Sequence, residues 1–306
     1  MMYLLLVLGF VLLIKGADFF VDGASSVAKL LKIPSVIVGL TIVAIGTSLP
    51  ELSVSLSASL AGNNDISLSN VVGSNIFNLL VVVGVSAVIC PMLTEKIIVK
   101  RDIWWSFGAA AALLLMMLDG VISRIEGIVL VAALVAYILV LIRYAQKNRL
   151  EGEEIKSIGP LKTVIFLILG PIAIIYGGDL VVDNATLIAK AIGMSDTFIG
   201  LTIVALGTSL PELVTSIVAA RKGDSGLALG NVVGSNIFNI LMIVGTSAAI
   251  TGGVHSSVLL MIDTALLLGA TLIMYFICRS SEKINRWEGA LCVAMYVAYT
   301  VYITLR

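Results

Sequence analysis

Apolar residues in this chain come in long runs, and polar residues fall mostly in the short gaps between them. A helix needs about 20 predominantly apolar residues to cross a ~30 Å hydrocarbon core. The runs predict ten spans, near residues 3–28, 36–60, 66–90, 103–119, 124–144, 163–189, 197–220, 226–250, 257–278 and 286–305. One long polar stretch, QKNRLEGEEIKSIG at 146–159, interrupts the series after the fifth span. The opening MMYLLLVLGFVLLIKGA resembles the apolar core of a signal peptide but has no basic residues ahead of it. A corresponding segment recurs at 162–178, so the opening reads as a retained span.

The pattern is written twice. Residues 39–52, GLTIVAIGTSLPEL, and 200–213, GLTIVALGTSLPEL, agree at 13 of 14 positions. A shift of 161 also superimposes Asp18 on Asp179, Asp22 on Asp183, Lys29 on Lys190 and Asp102 on Asp263. Towards the end the shift becomes 162, and SRIEG at 123–127 meets NRWEG at 285–289. The expected organisation is a first repeat at 1–145, a linker at 146–161 and a second repeat at 162–306. Five crossings per copy return the chain to the opposite side of the membrane, so the copies are inverted relative to each other.

Composition strengthens this picture. The 306 residues are 59% hydrophobic and 12% charged, against roughly 25% charged in soluble domains. Fifteen basic residues fall in the loops after odd-numbered spans and three on the other side, with Lys15 inside the first span. The positive-inside rule then puts both termini outside and the linker in the cytoplasm of a multi-pass protein of the inner (cytoplasmic) membrane. Net charge is zero and no basic block exists, which removes the electrostatic basis for binding nucleic acid. The lipid bilayer is the expected surrounding, and no obligate protein partner is evident. Cys90, Cys278 and Cys292 lack a CxxC spacing and read as small core residues. Asp18, Asp22, Asp179 and Asp183 lie towards span ends and read as solvated at the interface, and His255 stands in a short outside loop.

The chemistry sits where the apolar pattern breaks. Glu51 and Glu212 each follow Gly-Thr-Ser-Leu-Pro inside a span. A carboxylate near a span's centre costs roughly 2.5–3.5 kcal/mol on insertion scales, so these two face the protein interior. Pro50 and Pro211 remove a backbone donor and displace the carbonyls of Gly46 and Gly207. Such freed carbonyls are tolerated where they line a cavity, and they are hard oxygen ligands. Ser48, Glu51 and Ser55 share one helical face, as do Ser209, Glu212 and Ser216. The following spans carry Asn70, Ser74 and Asn78 in SNVVGSNIFN, and Asn231, Ser235 and Asn239 in GNVVGSNIFN, at intervals of four. Asn75 and Asn236 read with Asn70 and Asn231 as interhelical links. Oxygen donors without thiol or imidazole suit hard cations, Ca²⁺ and Na⁺ above Mg²⁺.

On the paired GTSLPE and GNVVGSN blocks, the chain is identified as resembling the cation/calcium antiporter superfamily, and within it the prokaryotic sodium/calcium exchangers. The resemblance covers essentially the whole length. It implies an all-α membrane protein of ten transmembrane helices in two inverted five-helix repeats, with broken helices at the ion site. It implies Ca²⁺ between Glu51 and Glu212 with the backbone carbonyls of Thr47 and Thr208. It implies sodium sites at Ser48, Ser74, Ser209 and Ser235, with the Ala205 carbonyl as a further ligand. Asn78 and Asn239 complete the expected metal set. Some relatives carry aspartate at the position of Asn239, and this departure argues against potassium transport and leaves sodium stoichiometry open. Two acids balance one Ca²⁺ or two Na⁺, whereas three Na⁺ leave one positive charge near the membrane centre, where charge is costly.

The expected function is antiport of Ca²⁺ against Na⁺ by alternating access, with both ions as substrates and no cofactor. A Ca²⁺/H⁺ antiporter is an alternative because buried glutamates can titrate, and a cation channel is another. An intramembrane enzyme finds no support: there is no HExxH and no nucleophile with a base, the only histidine being in a loop.

Overall fold

The structure, a computed structural model, describes residues 1–149, 158–194, 205–280 and 282–305. Among these, seven continuous helices are long and apolar enough to cross a membrane, or eight when one bent pair counts as a single span. They are α1 (Met2–Leu31), α4 (Asn64–Ile89), α6 (Arg124–Lys147), α7 (Pro160–Ala191), α9 (Ser225–Thr251), α10 (Val258–Ser280) and α11 (Arg286–Leu305). The bent pair is α2 (Ser35–Thr47) and α3 (Leu49–Leu60), which meet at 49°. Two shorter elements complete the set: α5 (Ile103–Met116), entered through a π-helical turn at Ile98–Asp102, and α8 (Leu210–Arg221). The expected span at 197–220 falls partly outside the described residues, and the expected span at 103–119 stops at Met116. The expected linker is trimmed at its edges, since α6 runs to Lys147 and α7 begins at Pro160.

Helix starts follow local chemistry. Ser123 caps α6 through a capping box: Glu126 N donates to Ser123 Oγ at 3.3 Å, and Ser123 N donates to Glu126 Oε2 at 2.7 Å. Asn285 N donates to Glu288 Oε2 at 2.7 Å ahead of α11, so the matched SRIEG and NRWEG segments share the bond from backbone N–H to glutamate at the helix start. Two antiparallel ladders, absent from the sequence reading, tie loops of the two halves together. Met92–Leu93 pairs with Lys283–Ile284, and Val121–Ser123 pairs with Gly253–His255. His255 is thereby a strand residue.

Close crossings organise the helices. Gly9, Gly16 and Gly23 of α1 abut residues of α7 in descending order, around 177–181, 170–174 and 166–167, so the two longest helices run antiparallel against each other. The second crossing lies beside the polar centre. A Cβ on Gly39 would come within 2.6 Å of Leu227 O, and one on Gly230 within 2.7 Å of Val36 O. Helix α9 thus presses backbone to backbone against α2, as small residues permit in membranes, and every residue from Gly226 to Phe238 is buried.

Charged residues near span ends are organised as well. Asp18 and Asp22 remain partly exposed to solvent and share one basic partner. Lys222 Nζ, at the end of α8, lies 3.3 Å from Asp18 Oδ1 and 2.8 Å from Asp22 Oδ1. Asp224 caps α9 and accepts from Ser25 Oγ at 3.0 Å and Ser35 Oγ at 2.6 Å. Asp102 is fully buried, and its oxygens accept from Arg101 Nε at 2.8 Å, Arg101 Nη2 at 3.0 Å and the Tyr137 hydroxyl at 3.1 Å. Neutralised in this way, it joins the start of α5 to α6. The three cysteines are free thiols, with Cys278 and Cys292 buried.

Candidate functional site

The break between α2 and α3 places the site. Pro50 lies in the first turn of α3, where its missing N–H costs no interior bond. Ser48, between the two helices, takes φ −85° and ψ 8°, outside the regular helical well. Ser209 repeats this before α8, with φ −94° and ψ 5°. Each carboxylate therefore sits in the first turn of a helix that starts inside the protein, where backbone N–H groups favour negative charge.

Glu51 and Glu212 have no solvent exposure. The two halves exchange hydroxyls to hold them. Ser48 Oγ donates to Glu212 Oε1 at 2.9 Å, and Ser209 Oγ lies 3.1 Å from Glu51 Oε1. The third helix of each half adds its serine: Ser74 Oγ is 3.0 Å from Ser209 Oγ, and Ser235 Oγ is 3.3 Å from Glu212 Oε1. The expected residues Glu51, Glu212, Ser48, Ser209, Ser74 and Ser235 are thus brought together.

The threonines are pinned from the neighbouring helix. Thr47 Oγ1 donates to Asn231 Oδ1 at 3.0 Å, while Asn231 Nδ2 donates to Ser216 Oγ at 3.0 Å. In mirror fashion Thr208 Oγ1 reaches Asn70 Oδ1 at 3.3 Å, and Asn70 Nδ2 donates to Ser55 Oγ at 2.8 Å. Asn70 and Asn231 therefore act as the interhelical links expected of them, and Ser55 and Ser216 anchor those links. Ala205 opens a single turn, Ala205–Gly207, that leads into Thr208.

Asn78 and Asn239 start π-helical segments, Asn78–Val82 and Asn239–Val244, and both are fully buried. Such π-turns are frequent at functional sites, and no pattern in the sequence announced them. Their amides meet Asn236 and Asn75 across the two halves.

Four buried oxygens of this centre have no hydrogen-bond partner among the described residues: Glu51 Oε2, Glu212 Oε2, Asn78 Oδ1 and Asn239 Oδ1. All four are acceptors. Buried acceptors without donors are costly, and hard cations satisfy them. No group of three or more His, Cys, Asp or Glu able to hold a metal occurs among the described residues. The donor set is two carboxylates with amide, hydroxyl and backbone oxygens.

The profile of the sodium/calcium exchanger protein family matches residues 1–143 and 162–305. The chain belongs to the sodium/calcium exchanger family. Among this exchanger's relatives, the sodium/calcium exchanger MaX1 of Methanosarcina acetivorans is 34% identical over 344 residues, covering 98% of each chain. The inner membrane protein YrbG of Escherichia coli K12 is 35% identical over 307 residues, covering 96% of this chain and 94% of its own. A solved structure of the sodium-calcium exchanger NCX_Mj, soaked with zero Na⁺ and Ca²⁺, superimposes with a TM-score of 0.85 at 33% identity. That match covers 100% of this chain and 99% of the other. The protein is accordingly a multi-pass membrane protein of a transporter family.

Proposed function

We propose that the protein exchanges Ca²⁺ for Na⁺ across the cytoplasmic membrane by alternating access. The observation that carries this reading is the set of four unpartnered buried oxygens: two carboxylate oxygens in the first turns of helices that start inside the protein, and two amide oxygens on α4 and α9. In the proposed site Glu51 and Glu212 balance a divalent ion, with the carbonyls of Thr47 and Thr208 beside them. The hydroxyls of Ser48, Ser74, Ser209 and Ser235, the amide oxygens of Asn78 and Asn239 and the Ala205 carbonyl serve Na⁺. The naming of MaX1 and NCX_Mj as sodium/calcium exchangers supports the same ion pair. The frame we propose is ten transmembrane helices in two inverted repeats, 1–145 and 162–306, that rock about a site near the bilayer midplane.

The test is Ca²⁺ uptake into proteoliposomes carrying the purified protein, with an opposing Na⁺ gradient, with an opposing proton gradient, and with neither. Uptake is expected only with the Na⁺ gradient. Uptake driven by protons alone would assign the protein as a Ca²⁺/H⁺ antiporter, and uptake with no gradient would assign a channel.

Orientation follows from the basic loops, 15 residues against three. Both termini are expected outside and the 146–161 linker inside. In a cysteine-free background, a single cysteine in the linker should resist an impermeant thiol reagent applied to intact cells, while one at the C-terminus should react. The reverse labelling pattern would overturn this orientation.

A further inference from the structure

Four asparagines cross-link the halves at the polar centre, and their hydrogen bonds run in a fixed sense. Asn75 Nδ2 donates to the backbone carbonyl of Asn236 at 3.1 Å, and Asn236 Nδ2 donates to the backbone carbonyl of Asn75 at 3.1 Å. A backbone carbonyl only accepts, so each of these amides must turn its NH₂ towards the partner helix. Their own side-chain oxygens are left to accept. Asn236 Oδ1 receives Asn78 Nδ2 at 3.1 Å, and Asn75 Oδ1 receives Asn239 Nδ2 at 3.0 Å.

The orientation of Asn78 and Asn239 is thereby decided. Turning either amide end for end would set oxygen against oxygen at the Asn236 or Asn75 side chain. It would also leave the NH₂ where Asn78 Oδ1 or Asn239 Oδ1 now stands. Those two oxygens are the buried acceptors without partners, one helical turn beyond Ser74 and Ser235 on the same faces. All four asparagines have no solvent exposure, so their amides are oriented away from bulk water by these bonds.

We propose that Asn75 and Asn236 are positioning residues for ion binding: they lock the Asn239 and Asn78 amides so that carbonyl oxygen, and not NH₂, faces the ion path. This rests on the reading of the glutamate centre as a cation site. The polarity matters because an amide presents a cation ligand at one end and a repelling donor at the other. Each lock is anchored on backbone of the opposite half, so the ligand geometry of one half is held by the other.

The test uses the full chain in proteoliposomes, reading half-saturating Ca²⁺ and Na⁺ concentrations separately from maximal rate, with thermal stability alongside. Asn236→Leu, similar in shape to asparagine but unable to hydrogen-bond, is expected to raise the half-saturating concentrations roughly tenfold or more, the scale of losing one charge-assisted oxygen contact. The maximal rate should change far less. In an Asn78→Ala background, Asn236→Leu should add little, since the amide it orients is gone. Asn75→Leu should pair with Asn239→Ala in the same way, and the crossed combinations should be additive. Where a leucine variant aggregates, Asn236→Ala and Asn75→Ala give the same readout without added bulk. Unchanged half-saturation, or an equal effect of Asn236→Leu with and without Asn78, would overturn the proposal and leave a packing role. Failure of the parent protein to transport Ca²⁺ would overturn the exchanger reading instead.

Discussion

Glu51→Gln and Glu212→Gln are each expected to abolish Ca²⁺ transport in a protein that still folds. Both carboxylates are fully buried, and each is held through Oε1 by a serine of the opposite half, while Oε2 has no partner among the described residues. A glutamine preserves shape, and its amide oxygen can still accept the bond from Ser209 or Ser48. What it removes is one of two negative charges, leaving a divalent ion half-compensated in a site shielded from water. Breaking one side of a buried charge arrangement costs about 3–5 kcal/mol, or roughly two to four orders of magnitude in affinity. Ca²⁺ should raise the thermal midpoint of the parent protein in detergent, by about 2.7 kcal/mol of added stability at 100 times its dissociation constant. In either variant that increment should vanish while the ion-free midpoint holds or rises, because a neutral side chain is cheaper to bury. Normal Ca²⁺-driven stabilisation or flux in either purified variant would exclude the two-carboxylate site.

Gly230→Ser is expected to destabilise the protein, although the internal repeat recommends it. The first copy carries Ser69 where the second carries Gly230, within otherwise identical NVVGSNIFN segments. Ser69 is exposed, whereas Gly230 faces α2 so closely that a Cβ would lie 2.7 Å from Val36 O and 3.0 Å from Leu40 N. Both obstacles are backbone atoms and cannot swing aside. Overpacking of this kind costs about 1–3 kcal/mol, which should lower the thermal midpoint by at least a few degrees. Displacing α9 would also disturb the Thr47–Asn231 and Ser235–Glu212 bonds, so a rate defect should accompany the loss of stability. Gly230→Leu, with a longer side chain against the same carbonyl, should leave little folded protein by size-exclusion chromatography. A Gly230→Ser protein as stable as the parent would show that the α2–α9 crossing can relax.

Much of this molecule is written locally. A run of apolar residues decides that a segment enters lipid, because water and hydrocarbon sort side chains one at a time. A proline after Gly-Thr-Ser-Leu decides where a helix must break, because the missing N–H is a covalent fact of residues 50 and 211. Spacings of three and four decide which hydroxyls share a face with Glu51. These are short-range properties, and the chain states each of them twice, so Ser48, Ser209, Ser74 and Ser235 gather at the two glutamates. The tertiary structure decided which donor meets which acceptor. Ser48 serves Glu212, 164 residues away, and not its own neighbour Glu51, while Ser209 serves Glu51 across 158. Asn75 and Asn236 had the same pattern as any interhelical link, and only their bonds to opposite backbone carbonyls give the neighbouring amides a direction. Lys222 pairs with the partly exposed Asp18 and Asp22, 204 and 200 residues away. The physical reason is common to all of these: a hydrogen bond depends on the distance and angle between groups on different helices, and helix crossings are set by backbone contacts such as Gly39 with Leu227, which no periodicity within one segment encodes.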